Sequence, residues 1–156
     1  MKLTAFTDYS LRVLIYLAAQ PRRRATIADI AAAFEVSENH LTKVVHFLGK
    51  AGWLATLRGK GGGLELAMPP ELIGIGKVIR ETEGAVVPAE CFGNNAGNCA
   101  IGDICGLRGV LNDAVTAFYN VLDQYTLADL VVNRQSLARV LFSEQAVSPP
   151  ASRRTV

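Results

Sequence analysis

Thr26 to Ala67 read TIADIAAAFEVSENHLTKVVHFLGKAGWLATLRGKGGGLELA, and this stretch decides the fold. Its opening tetrad, Thr26–Asp29, has the form of a capping box, in which hydroxyl and carboxylate each bond the other's backbone N–H. It starts a helix carried by Ile27, Ile30, Ala31 and Phe34 at helical spacing. A short link, Glu35-Val36-Ser37, leads to a second helix, capped by Ser37, with Leu41, Val44, Val45 and Leu48 on one face. Gly49 and Gly52 surround its end, and two strand-like runs, Trp53–Leu57 and Leu64–Ala67, flank a glycine loop carrying Arg58 and Lys60. Two helices joined by a short turn and followed by a basic hairpin predict a winged helix-turn-helix.

Working outward, Leu11, Leu14, Ile15 and Ala18 predict an earlier helix with Thr7 as its cap, ending before Pro21. Pro69 and Pro70 punctuate the chain after the hairpin, and a further helix is expected over Ile75–Glu83, ended by Gly84. Cys91, Cys99 and Cys105 follow in a loop of small and polar residues, about 85–106. A long helix, Leu107–Tyr125, then places Leu107, Leu111, Ala114, Phe118, Val121, Leu122 and Tyr125 on one side. Near-heptad spacing suits a dimer seam, although packing within one chain would use the same residues. Thr126–Leu130 has the form of a recapped short helix, and the tail from Ser143, with its two Pro and two Arg, reads as disordered. The fold class is therefore mainly α with a small β-hairpin. A winged helix-turn-helix over 1–84 is joined by a cysteine loop over 85–106 to a dimerisation helix and short helix over 107–142, with a tail at 143–156.

The 156 residues suffice for one buried core, and half of them are apolar, as in globular chains. The net charge of +2 is unevenly spread. Residues 1–70 hold nine Lys/Arg against five Asp/Glu, and residues 71–142 five against eight. A basic first half suggests that it meets a polyanion. The apolar stretch Val13–Ala19 is far too short to span a membrane, and Asp8 and Arg12 interrupt the place of an export signal. A cytoplasmic location is expected, where clustered thiols bind metal or act in redox chemistry more often than they pair.

On the outward face of the third helix, Asn39, His40, Thr42, Lys43 and His46 can reach base edges in a major groove, while Ser37, Lys43 and Lys50 suit its phosphate margin. An ordinary solvated helix face is the alternative, and the basic hairpin favours the first. There Arg58, Lys60 and Gly61 allow close approach to phosphates or a narrow minor groove. No Walker pattern supports a nucleotide loop instead. Arg22–Arg24 can add a phosphate contact or merely form a solvated loop, and Tyr9 and Arg12 are weaker candidates.

The cysteine spacing, C-x7-C-x5-C, leaves three readings. A disulfide would strand one thiol, and zinc would need a fourth ligand although both histidines lie on the third helix. An iron–sulfur cluster tolerates one ligand that is not cysteine. No carboxylate pair or local Cys–His pair suggests an enzyme.

LTAFTDYSLRVLIYLA, VSENHLTKVV, LRGKGGGLEL, the three-cysteine loop, CGLRGVL and LDQYTLADLV together resemble the IscR/NsrR family of dimeric winged-helix iron–sulfur regulators over about residues 1–142. The resemblance implies that Cys91, Cys99 and Cys105 are thiolate ligands, with Asp8 of the other subunit as the fourth ligand to a 4Fe–4S cluster. A 2Fe–2S cluster is the alternative. Arg108 stands where one branch of the family places a histidine ligand, which favours the nitric-oxide-sensing branch. Asp8 also suits the first turn of a helix simply as an acid. The seven residues between Cys91 and Cys99 make a longer gap than is usual in the family. The implied function is a homodimeric repressor of a palindromic operator in double-stranded DNA, released when nitric oxide attacks the cluster. The rivals are a 2Fe–2S regulator sensing iron–sulfur or redox status, and an iron–sulfur electron-transfer protein.

Overall fold

A computed structural model describes residues 2–20, 24–59, 61–84, 87–89, 92, 99–101 and 104–142. Helix α1, Ala5–Ala19, begins at Thr4, whose hydroxyl accepts the Thr7 N–H at 3.3 Å. The cap is therefore Thr4, not Thr7, and Thr7 is fully buried. Both threonines can cap, and burial of Thr7 against α4 settles which one does. Helix α2, Ile27–Phe34, opens with both halves of the capping box, Thr26 N–H to Asp29 at 2.8 Å and Asp29 N–H to Thr26 at 3.1 Å. Glu35 takes a left-handed conformation, φ 53°, which turns the chain at once into helix α3, Glu38–Lys50.

Strands β1, Leu54–Leu57, and β2, Gly63–Leu66, pair antiparallel, with Leu54 opposite Leu66 and Leu57 opposite Gly63. After a single 3₁₀ turn at Pro70–Leu72 comes helix α4, Ile75–Glu83, closed by Gly84 at φ 69°. Leu14, Ile30, Leu41, Leu48, Ile73, Val78 and Leu127 are among the side chains fully buried in one core shared by α1, α2, α3, α4 and the wing. Each such side chain contributes roughly 1.5–3 kcal/mol of hydrophobic stabilisation.

Helix α5, Gly106–Leu122, starts at Cys105 and contains no fully buried residue. Past it the chain returns to the first domain. Ile75 donates to Tyr125 at 2.9 Å and Leu127 donates to Ile73 at 2.8 Å, a one-residue bridge between Gly74 and Thr126. Helix α6, Leu127–Leu130, carries the expected capping box of Thr126 and Asp129, and buries Leu127 in the common core, as Val131 does just after it. Helix α7, Arg134–Phe142, is absent from the sequence reading. Its Leu137, Leu141 and Phe142 pack on that core, with the Phe142 ring 4.8 Å from Tyr16. The tail from Ser143, expected to be disordered, lies outside the described residues.

Candidate nucleic-acid interface and cysteine loop

The four apolar positions of α3 point into the core, and this orients the rest of the helix. Leu41, Val44, Val45 and Leu48 are buried, while Ser37, Asn39, His40, Thr42, Lys43, His46 and Lys50 are all exposed. Ser37 sits at the N-cap but its hydroxyl makes no capping bond; its carbonyl accepts from His40 and Leu41 at 3.1 and 3.2 Å. The unsatisfied amides of a helix start attract anions such as phosphate. The Thr42 hydroxyl donates to Glu38 O at 2.8 Å, so it faces back along the helix. Helix α1 lies against α3: Phe6 meets Phe47 edge-on at 5.4 Å, and Tyr9 stacks on the exposed His40 at 6.1 Å. A small apolar hollow of about 140 Å³ lies there, lined by Phe6, Tyr9, His40 and Lys43 among others.

Arg58 and Gly61 stand exposed at the wing tip, and Lys60 lies outside the described residues. The tip needs its glycines. Gly59 and Gly61 adopt φ 93° and 81°, and a Cβ on Gly62 would run into the carbonyl of Leu57. Arg24 reaches this tip from the segment before α2, donating to Gly61 O at 2.8 Å and pairing with Glu65 at 3.3 Å. The sequence allowed Arg24 either a phosphate contact or a place in a solvated loop; the structure gives it these two intrachain partners, while Arg22 and Arg23 lie outside the described residues. Sequence reasoning had no signal for it, because its partners are 37 and 41 residues away.

Of the expected cluster ligands, Cys99 is exposed, Cys105 is half-buried at the N-cap of α5, and both are free thiols. Cys91 lies outside the described residues. Asp8 occupies the first turn of α1, half-exposed, and pairs with Arg12 at 2.8 Å. Among the described residues no three His, Cys, Asp or Glu side chains are grouped as a metal set. The described donors fit an iron–sulfur group in kind. Two thiols bear no disulfide, one of them at a helix start, whose dipole favours negative charge. A carboxylate is accessible for a partner. Just before the loop, Glu83 accepts from the backbone and hydroxyl of Thr4 at 2.7 and 3.0 Å, tying the end of α4 to the start of α1. Partial burial of Glu83 opposes its charge, yet hydrogen bonds from Thr7 and Thr4 outweigh it and hold the carboxyl below its ordinary range.

Helix α5 has two faces. Leu107, Val110, Ala114, Ala117 and Val121 point outward, with Leu107, Val110 and Val121 exposing more than half their surface. Phe118, Tyr119 and Leu122 pack inward on the chain's own core. The expected seam is thus divided: Leu107, Ala114 and Val121 remain on the outer face, Leu111, Phe118 and Leu122 are half-buried, and Tyr125 lies beyond the helix end, exposed.

The sequence matches the Rrf2 profile, described as an iron-dependent transcriptional regulator, over residues 3–133. It is 50% identical to the HTH-type transcriptional regulator NsrR of Bacillus subtilis over 142 residues, 90% of this chain and 97% of that one. It is 49% identical to the protein of the same name from Bacillus licheniformis, over 90% of this chain and 99% of that one. Among solved structures, T. potens IscR superposes with a TM-score of 0.70 at 25% identity, covering 88% of this chain and 90% of that one. The oxidized form of Staphylococcus aureus CymR gives 0.67 at 27% identity, over 85% and 97%.

Proposed function

This chain belongs to the Rrf2 family, a DNA-binding transcriptional regulator and not an enzyme, and from that premise we propose a repressor that senses nitric oxide through an iron–sulfur cluster. The observation that carries the reading is the outward polar face of α3 running directly into a basic, glycine-built wing, in a chain that also presents free Cys99 and Cys105. Cys91, Cys99, Cys105 and the partner subunit's Asp8 would hold the group, a 4Fe–4S cluster. When bound, it supplies iron that nitric oxide can attack.

The protein's part is mechanical. Asp8 lies on the helix that braces α3 through Phe6 and Tyr9, so whatever holds Asp8 biases where the recognition face sits. Arg12 offers the carboxylate an alternative partner within its own chain. Two arrangements of α1, each with its own partner for Asp8, suffice for a population shift between binding and released states. Lys43, Lys50 and Arg58 meet phosphates, Asn39, His40 and His46 the base edges, and Lys60 and Gly61 the groove beside the wing.

Iron and sulfide analysis with Mössbauer spectroscopy on anaerobically purified protein tests the reading, alongside duplex binding before and after nitric oxide. Four irons per chain and a loss of affinity after nitric oxide are expected. Protein without iron, or binding indifferent to nitric oxide, overturns it. Two irons would point to the 2Fe–2S regulator, and failure to select any duplex sequence to an electron carrier.

A further inference from the structure

The basic triplet at Arg22–Arg24 invites one electrostatic role, yet the structure gives Arg24 a different one. The wing is attached at two points beyond its own strand pairing. Along β2, Ala25 and Leu64 exchange backbone hydrogen bonds at 3.2 and 2.7 Å, so the segment before α2 acts as a one-residue third strand. The approach is close: a Cβ on Gly63, whose φ is 152°, would meet Ala25 O at 3.0 Å and Arg24 Cβ at 3.1 Å, tighter than ordinary contacts. The Arg24 guanidinium spans the tip and the strand behind it, donating to Gly61 O at 2.8 Å and to Glu65 of β2 at 3.3 Å. A planar fork serving two acceptors at once is a task lysine does not reproduce. The tip it grips has three glycines in a row, a backbone with no intrinsic preference for one shape.

We infer that Arg24 is a positioning residue for DNA binding: it presets the wing so that Arg58 and the glycine tip meet the duplex in one geometry, and it does not itself contact phosphate. Without it the tip samples many shapes, and ordering it on the duplex costs affinity. The pairing also neutralises Glu65, which otherwise places a negative charge on the wing strand. This inference rests on the DNA-binding reading above, and the experiment separates the two.

The decisive variant is R24K, which keeps the charge and removes the fork. The probe is a duplex selected from a random pool by the unaltered protein, and affinity is measured across a salt series. Loss of an exposed pair together with its hydrogen bond predicts about a fivefold fall in affinity. The salt slope falls as well although net charge is unchanged, because the wing's own phosphate contacts are lost. In an R58A background the further effect of R24K shrinks towards none, since both variants remove the same contact. In the free protein, hydrogen exchange at the Gly62 amide, bonded to Gly59 O at 2.9 Å, speeds up in R24K.

A phosphate-contacting Arg24 gives the opposite pattern: R24K keeps affinity and slope, with or without R58A, and exchange is unaltered. Any of these overturns the inference. If R58A itself binds as tightly as the unaltered protein, the wing is no duplex contact, and the inference falls together with that reading. If R58A weakens binding and R24K does not, the inference falls alone.

Discussion

At the scale of single residues, the capping box at Thr26 and Asp29 was readable because it is local: four consecutive residues satisfy two helix-start amides. Thr26→Ala removes the hydroxyl acceptor, and about 1 kcal/mol of stability should be lost in chemical denaturation, with an unchanged m-value. The cap of α1 was misread by one turn for a matching reason. Thr4 and Thr7 are equally good caps in sequence, and only the distant Glu83, which binds Thr4, and the core that buries Thr7 tell them apart. Asp8 is a sharper case, being an acid that helps any helix start and also the proposed fourth ligand. Asp8→Ala should keep the melting temperature of the metal-free protein within about 2 °C, since it removes one half-exposed ion pair with Arg12. The same variant should lose iron faster under anaerobic gel filtration; an iron content and visible spectrum identical to the unaltered protein would strike Asp8 from the ligand set.

At the scale of elements, most helix limits and the hairpin were legible from periodicity, while the contacts that set their relative positions were not. The clamp between α4 and α5 is an example. Arg80 donates both Nη groups to Asp123, 43 residues away, and lies over the Tyr119 ring at 4.4 Å. The hydrogen bond to Arg80 holds the Asp123 carboxyl below its ordinary range. Gly76 completes the arrangement: a Cβ there would collide with the Asp123 carboxylate, which the clamp holds against α4. A glycine inside a helix usually costs up to about 1 kcal/mol relative to alanine, so Gly76→Ala would stabilise an unobstructed helix. Here it should destabilise by about 1–3 kcal/mol, and the penalty should shrink in an Asp123→Ala background, where the carboxylate is gone and only the backbone N of residue 123, at 3.1 Å, remains close. Equal effects in both backgrounds would refute the clamp.

The same clamp sets a pH dependence at this scale. A carboxyl whose folded pKa is depressed adds stability above its unfolded value, near 4. That stability is lost as pH falls through the folded value. Asp123, Asp129 and Glu83 all shift this way, so thermal melts should weaken below about pH 4. Asp123→Asn should flatten that acid limb. Helix α7 escaped the sequence reading although Asn133 stands in the place of a cap and Leu137, Val140 and Leu141 recur at helical spacing; the helix packs against α1 and α2, contacts that its own sequence does not reveal.

At the scale of the whole molecule, the outer face of α5 is an apolar surface that stands exposed among the described residues. Leu107, Val110, Ala114, Ala117 and Val121 recur at intervals of three and four, the spacing of a coiled-coil seam, and all five are exposed. The sequence alone could not separate this face from the inner one, because Leu111, Phe118 and Leu122 follow a register shifted by one residue and are just as apolar. The seam matters beyond stability, since a single winged helix reads few base pairs and two heads on a palindrome multiply their affinities only if a rigid element spaces them. The clamp at Arg80 and Asp123 would fix the angle at which each head leaves that element. Val110→Glu should therefore give a monomer in sedimentation velocity while the head stays folded, and bring duplex affinity down to that of one half-site, about a hundredfold or more. Phe118→Ala should do the reverse, leaving association intact and costing about 2 kcal/mol of stability because that ring packs on its own core. A Val110→Glu protein that still sediments as a dimer would place the interface elsewhere, and would also remove the reason for the partner subunit's Asp8 to stand near this chain's cysteines.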